Sequence, residues 1–269
     1  MSRLEEALRQ VRRRGRKALV PFFTGGYPTR ETFGALLLEA QAAGADAVEV
    51  GIPFSDPSAD GPVIQRASER ALAAGASVRR ILEDVASART QGLEIPVVLM
   101  TYYNPIAAFG AEAFAEAARR AGVDGVLVVD LPPEEADEFA PAARARGLDT
   151  VFLVAPTTPE ARIPRVAAQC RGFLYCVSVT GVTGEKRPVE AVVEETVDRI
   201  RRHTGLPVLV GFGVSDPDSA RRMARLSDGV IVGSALLRAV EDRDGPEAVA
   251  RAGAFLRALR GALDEVSAR

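Results

Sequence analysis

Acidic side chains dominate the chemistry that this sequence can offer. Among 269 residues there are 36 Asp and Glu, but one histidine, two cysteines and two lysines. With His203 as the only histidine, a histidine-based zinc site, a metal-dependent epimerase site or a Ser-His-Asp triad is hard to assemble. Cys170 and Cys176 match no metal-ligand spacing and are too few for a disulfide framework. Apart from Lys17 and Lys186 every basic residue is arginine, whose high pKa makes it unsuited to imine chemistry. For an enzyme of this composition, carboxylates are the leading acid and base.

Two carboxylates stand out by position. Glu49 interrupts the apolar run Val48-Glu49-Val50, and alternation along a strand points it away from both valines. Burial there would raise its pKa and make it a usable acid; a structural ion pair with an arginine is the alternative. Asp60 ends a loop shaped by Pro53 and Pro57 and stands before Gly61-Pro62. It reads as a site residue or as the N-cap of a following helix. Asp56 lies on the same loop. Two further turns, Gly211-Phe212-Gly213-Val214-Ser215 and Gly233-Ser234-Ala235, would let backbone N–H groups approach a phosphate, and a short helix beginning near Ser234 would add its dipole. The polar stretch from Ser178 to Arg187, with Gly181 and Gly184, reads either as a lid that excludes water or as an ordinary loop.

The elements that must position these residues follow from periodicity. Apolar runs at 18–23, 47–51, 96–102, 125–129, 150–154, 173–178, 207–211 and 229–232 predict eight strands. Between them, helical periodicity predicts helices near 30–43, 78–91, 111–121, 134–146, 162–169, 189–203, 216–226 and 247–266. Eight strand–helix pairs in this length predict a single (β/α)8 TIM barrel over 1–269, with an extra N-terminal helix at 4–14 and an inserted helix at 61–73 after the second strand. Weak internal repetition fits: Ala43-Gly44-Ala45-Asp46, Ala121-Gly122-Val123-Asp124 and Arg146-Gly147-Leu148-Asp149 each place a glycine at a helix end and a polar turn before a strand. In such a barrel the site forms at the C-terminal strand ends, where Glu49 and both glycine turns fall.

Composition excludes other classes. The chain is 47% apolar, enough for a sizeable core, and its formal charge of −2 suits no dedicated nucleic-acid binder. No window reaches 18 consecutive apolar residues, and the charged start Met1-Ser2-Arg3-Leu4-Glu5-Glu6 lacks the core of a signal peptide, so a cytoplasmic protein is expected. His203 is expected at a helix end and Cys176 in the core.

The run from Glu49 to Pro57 with Ala59-Asp60-Gly61-Pro62, the Gly181-Val182-Thr183-Gly184 loop and the turns at Gly211 and Gly233 together resemble the tryptophan synthase alpha subunit family, in order and over nearly the whole chain. The resemblance implies a retro-aldol cleavage of indole-3-glycerol phosphate to indole and glyceraldehyde 3-phosphate, with no metal or cofactor in this chain. It implies Glu49 as the acid/base and Asp60 as the acceptor of the indole N–H. It implies Phe22, Met100, Tyr102, Leu127, Tyr175 and Phe212 around the indole, Thr183 as a lid residue reaching the aspartate, and Gly184, Gly213, Gly233 and Ser234 as a phosphate cradle. A beta subunit carrying pyridoxal phosphate is the implied partner in an alpha2-beta2 tetramer, facing Asp56, Asn104, Asp130 and Pro132. The resemblance leaves two other readings in view: a standalone lyase releasing free indole, and a non-catalytic allosteric barrel. Indole-glycerol-phosphate synthase is disfavoured because no lysine falls inside the barrel.

Overall fold

The computed structural model describes residues 2–177, 188–211 and 213–267. The chain opens with α1 (Arg3–Arg13), where the Ser2 side chain accepts the Glu5 N–H, acids fill the first turn and arginines the last. Then come β1 (Ala18–Thr24), α2 (Arg30–Ala42), β2 (Val48–Gly51), α3 (Pro62–Ala73), α4 (Val78–Thr90) and β3 (Val97–Thr101). They are followed by α5 (Tyr103–Phe109), α6 (Ala111–Arg120), β4 (Gly125–Val128), α7 (Phe139–Ala145), β5 (Asp149–Val151), β6 (Leu153–Val154), α8 (Ile163–Gln169) and β7 (Leu174–Val177). The chain ends with α9 (Val189–Arg201), β8 (Val208–Gly211), α10 (Pro217–Leu226), β9 (Gly229–Val232), α11 (Ser234–Val240) and α12 (Gly245–Ser267).

All strand pairs are parallel, and the sheet order is β5-β4-β3-β2-β1-β9-β8-β7-β6. Its two ends, β5 and β6, are consecutive in the chain and separated by Phe152 alone, so the sheet closes on itself as the expected eight-position TIM barrel. The expected strand at 150–154 is thus split, its first half bonding β4 and its second half bonding β7. The N-terminal helix and the inserted α3 are both present.

Two helices depart from expectation. The stretch expected as one helix at 134–146 is a 3-10 turn, Pro133–Glu135, followed by α7. Pro141 supplies the reason: its ring would clash with the carbonyl of Asp137 in a continuous helix, whereas in the first turn of α7 its missing N–H costs nothing. The short α5 follows β3 directly, with Tyr102 as its N-cap residue, so Tyr102 lies past the strand that was expected to contain it. The repeated glycines behave as expected: Gly44, Gly122 and Gly147 have φ of +90°, +85° and +73°, the left-handed turn that ends α2, α6 and α7. The polar residue after two of them ties the barrel's N-terminal rim, with Asp46 accepting the Leu19 N–H and Asp124 the Val97 N–H, each at 2.9 Å.

Two apolar regions hold the barrel. The larger lies between the helices and the outer strand faces, with Phe23, Phe33, Phe114, Leu37 and Leu99 fully buried. The smaller fills the barrel itself, where Val20, Val98, Leu127, Phe173 and Leu209 meet Leu4, Leu8 and Val11 of α1. The first helix therefore closes the N-terminal end, and the open end is the one at the strands' C-termini. Among the described residues no helix is long and apolar enough to cross a membrane, and no group of His, Cys, Asp and Glu could hold a metal.

Candidate active site

A cavity of about 360 Å³ occupies the open end. Its walls include inward-facing residues near the C-terminal ends of the strands: Phe22 of β1, Glu49 of β2, Met100 of β3, Leu127 of β4, Leu153 of β6, Tyr175 of β7 and Ile231 of β9. Strand register sets them side by side, with Phe22 opposite Glu49, Met100 opposite Leu127 and Leu153 opposite Tyr175. Alternation along each strand is what sends these residues inward while their neighbours pack against helices.

Glu49 is 1% exposed, and its Oε1 has no hydrogen-bond partner among the described residues. Among the described residues no arginine pairs with it, so the ion-pair alternative does not hold there. Burial, reinforced by the charge of Asp60, pushes its pKa up to about 8. Other buried carboxylates are held differently. Asp46 and Asp124 also have raised pKa values through burial, but each binds a backbone N–H and an arginine at the opposite end of the barrel.

Asp60 faces the same cavity from the loop after β2. It is not a helix cap: Gly61 is the N-cap residue of α3, with Pro62 at the first helical position. Burial raises its pKa to about 6, against a hydrogen bond with the Tyr102 hydroxyl that lowers it. That hydroxyl also accepts the Ala59 N–H at 3.0 Å, so Tyr102 holds both the loop and its carboxylate. Tyr102 does not itself line the cavity; it reaches the site through Asp60.

Gly213, Gly233 and Ser234 also line the cavity, from the turn after β8 and the start of α11. The left-handed φ of +77° at Gly213 is one a side chain would strain. Thr183, Gly184 and Phe212, and the whole expected lid from Ser178 to Arg187, lie outside the described residues. Asp56 on the loop after β2, Asn104 in the first turn of α5 and Asp130 on the loop after β4 are exposed, and Pro132 on that last loop is half-buried, all around the same barrel end. Asp130 accepts the Tyr103 N–H at 2.7 Å, bracing the start of α5.

Several wall residues were missed. Val129, Leu153 and Val177 continue the inward alternation of Leu127, Val151 and Tyr175, a signal present in the sequence. Ile64 comes from α3 and Ile231 from β9. Arg238 of α11 also lines the cavity, four residues beyond Ser234 on the same helix face.

A largely apolar cavity lined by two carboxylates and by two glycine turns suits an aromatic phosphomonoester that reacts by proton transfer. Comparison with known proteins gives the family. The profile described as tryptophan synthase alpha chain matches residues 8–262. The tryptophan synthase alpha chains of Geotalea uraniireducens and Laribacter hongkongensis are each 51% identical, covering 99% and 98% of this chain and 99% and 100% of those relatives. The crystal structure of tryptophan synthase subunit alpha from Legionella pneumophila superposes with a TM-score of 0.90 at 36% identity, over 98% of this chain and 99% of that one. A crystal structure of tryptophan synthase from M. tuberculosis gives 0.88 at 35% identity, over 98% of this chain and all of the matched one. With its barrel, its buried carboxylates and these relatives in agreement, the chain belongs to the tryptophan synthase alpha chain family.

Proposed function

We propose that this chain, acting as one undivided barrel domain, cleaves indole-3-glycerol phosphate to indole and glyceraldehyde 3-phosphate, with Glu49 and Asp60 as its catalytic residues. The observation that carries this reading is the buried, unpartnered Glu49 facing the same apolar cavity as Asp60. With pKa values of about 8 and about 6, the pair near neutral pH holds one proton, on Glu49, and leaves Asp60 ionised.

That protonation state matches the chemistry. Glu49 gives its proton to C3 of the indole, which disrupts the ring's aromaticity and places positive charge on its nitrogen. Asp60 accepts the indole N–H and stabilises that charge as it develops. The Glu49 carboxylate then takes the proton of the adjacent glycerol hydroxyl. The carbon–carbon bond breaks with its electron pair returning to C3, the hydroxyl carbon becomes the aldehyde, and Glu49 is protonated again. No net proton or electron is consumed, and in this proposal the two carboxylates carry the cycle without a metal or organic cofactor in the chain. Phe22, Met100, Leu127 and Tyr175 would hold the indole, and Gly213, Gly233 and Ser234 the phosphate; Thr183, Gly184 and Phe212 are proposed alongside them from sequence.

In the same proposal indole passes to a pyridoxal-phosphate-bearing beta subunit in an alpha2-beta2 tetramer, docked over Asp56, Asn104, Asp130 and Pro132. Three of these four side chains are exposed at the cavity end. The two free, buried cysteines suit the cytoplasm. Indole release from indole-3-glycerol phosphate, measured for the purified chain with and without a beta subunit, tests the reading. Strong activation by the partner is expected, and Asp60→Asn should lose most of the activity. Full activity alone would favour a standalone lyase, and no activity in either case a non-catalytic barrel.

A further inference from the structure

Among the described residues lining the cavity three are of ionisable type: Glu49, Asp60 and Arg238. The first two are acids at the indole end. Arg238 is the lone cation, and it comes from the helix that begins with Ser234 at the phosphate end. A helical side chain leans back toward the N-terminus of its helix, and Arg238 lines the same cavity as Gly233 and Ser234, one turn before it.

Nearby arginines are committed elsewhere. Arg66 pairs with Glu241 and Arg70 with Asp242, while Arg243 pairs with Glu247. Arg238 takes part in no hydrogen bond or ion pair among the described residues, and Glu241, the acid three residues away, is held by Arg66. An exposed arginine in the last turn of a short helix has an ordinary role in complementing the helix dipole. That role does not require it to line the cavity.

Electrostatics gives the position a use. A phosphomonoester brings nearly two negative charges into a cavity that already holds the Asp60 carboxylate, and backbone N–H groups supply only partial compensation. A guanidinium supplies a whole charge and a planar fork that meets two phosphoryl oxygens at once.

We propose that Arg238 is a specificity-determining residue whose guanidinium closes over the phosphate end of the cavity and pairs with the phosphoryl dianion, setting the preference for phosphorylated over unphosphorylated indole-glycerol. The proposal rests on the cleavage reading for its substrate, but its core is the recognition of a phosphomonoester by this side chain. Wild type, Arg238→Met and Arg238→Lys are compared as the complex with a beta subunit, on indole-3-glycerol phosphate and on unphosphorylated indole-3-glycerol. Binding of glycerol 3-phosphate is measured by calorimetry on the same proteins.

Arg238→Met is expected to lower kcat/KM for the phosphorylated substrate by roughly tenfold to a hundredfold through KM, the size of a lost charge-assisted hydrogen bond. It should weaken glycerol 3-phosphate binding by a similar factor and leave kcat/KM for the unphosphorylated substrate unmoved, with Arg238→Lys in between. An equal loss on both substrates, or unchanged glycerol 3-phosphate binding, overturns the assignment. If wild type cleaves neither substrate, the cleavage reading fails while the calorimetry still decides the role of Arg238.

Discussion

Glu49 and Asp60 differ in how the protein holds them, and the difference sets their protonation. Glu49 is buried beside another carboxylate with no hydrogen-bond partner among the described residues, so its acid form is favoured; Asp60 keeps a hydroxyl partner and ionises first. A profile of kcat/KM against pH should therefore be bell-shaped, with limbs near 6 and 8. Tyr102→Phe removes the contact that lowers the Asp60 pKa, so the acid limb should move to higher pH; a limb that stays in place would show that Tyr102 does not tune Asp60. Glu49→Gln should cut indole release by at least about a hundredfold with an unchanged circular dichroism spectrum. It should also alter the pH dependence of stability. Between its ordinary value of 4.5 and its folded value of about 8, Glu49 binds a proton in the native state that the unfolded chain has released. Its contribution to stability is therefore fully present at low pH and is lost as pH rises through that window. In urea titrations across the window, the wild type should lose stability relative to Glu49→Gln, and parallel pH curves would contradict a raised Glu49 pKa.

The elements around the cavity meet at glycines, and two of these should fail in different ways. A Cβ on Gly211 of β8 would fall 2.0 Å from the Tyr175 hydroxyl, the end of a side chain in the cavity wall. A Cβ on Gly229 of β9 would fall 2.6 Å from the Ala18 carbonyl oxygen and 2.8 Å from its Cα, which no rotamer change can relieve. Gly211→Ala should thus appear mainly as a raised KM, because Tyr175 is displaced. Gly229→Ala should appear mainly as lost stability, of at least about 1–3 kcal/mol, because β1 and β9 are forced apart. Thermal denaturation with steady-state kinetics separates the two; equal effects on both measures would show that the clash with Tyr175 also spreads through the sheet.

At the scale of the whole molecule, chemistry and stability occupy opposite ends of the barrel. Polar ties such as Asp46 to Leu19 and Asp124 to Val97, together with the α1 plug, lie at one end, and the cavity lies at the other. Leu4 of α1 is fully buried, and its Cδ2 would stand 3.1 Å from a Cβ on Gly125 and 2.7 Å from one on Gly172. Leu4→Ala should therefore cost about 2–5 kcal/mol by opening a cavity in the smaller core. Its denaturation midpoint should fall while KM for indole-3-glycerol phosphate holds; a changed KM would mean that packing at the closed end propagates to the site.

Periodicity and turn chemistry are local properties, and so the barrel, its eight strand positions, the inserted helix and the inward direction of Glu49 were legible in the sequence alone. The same holds for Gly213, Gly233 and Ser234, whose strand-end position is set by counting strands. The break between Pro133 and α7 was less legible, because helical periodicity outweighed the constraint imposed by Pro141. Other features exist only once the sheet closes. Whether Glu49 has a partner depends on what the neighbouring strand ends bring near it, and spacing left an arginine as likely as a cavity. Asp60 looked like a cap from its neighbours, yet the cap is the next residue, Gly61, with the helix starting at Pro62, and a tyrosine 42 positions away takes the carboxylate instead. Arg238 drew no notice in the chain, because an arginine on a short helix is ordinary until the fold turns it toward a cavity with no other positive charge among its described walls. Desolvation and charge depend on three-dimensional surroundings, and that is why the tertiary structure, rather than residue spacing, decided which acids in this chain are poised to exchange protons.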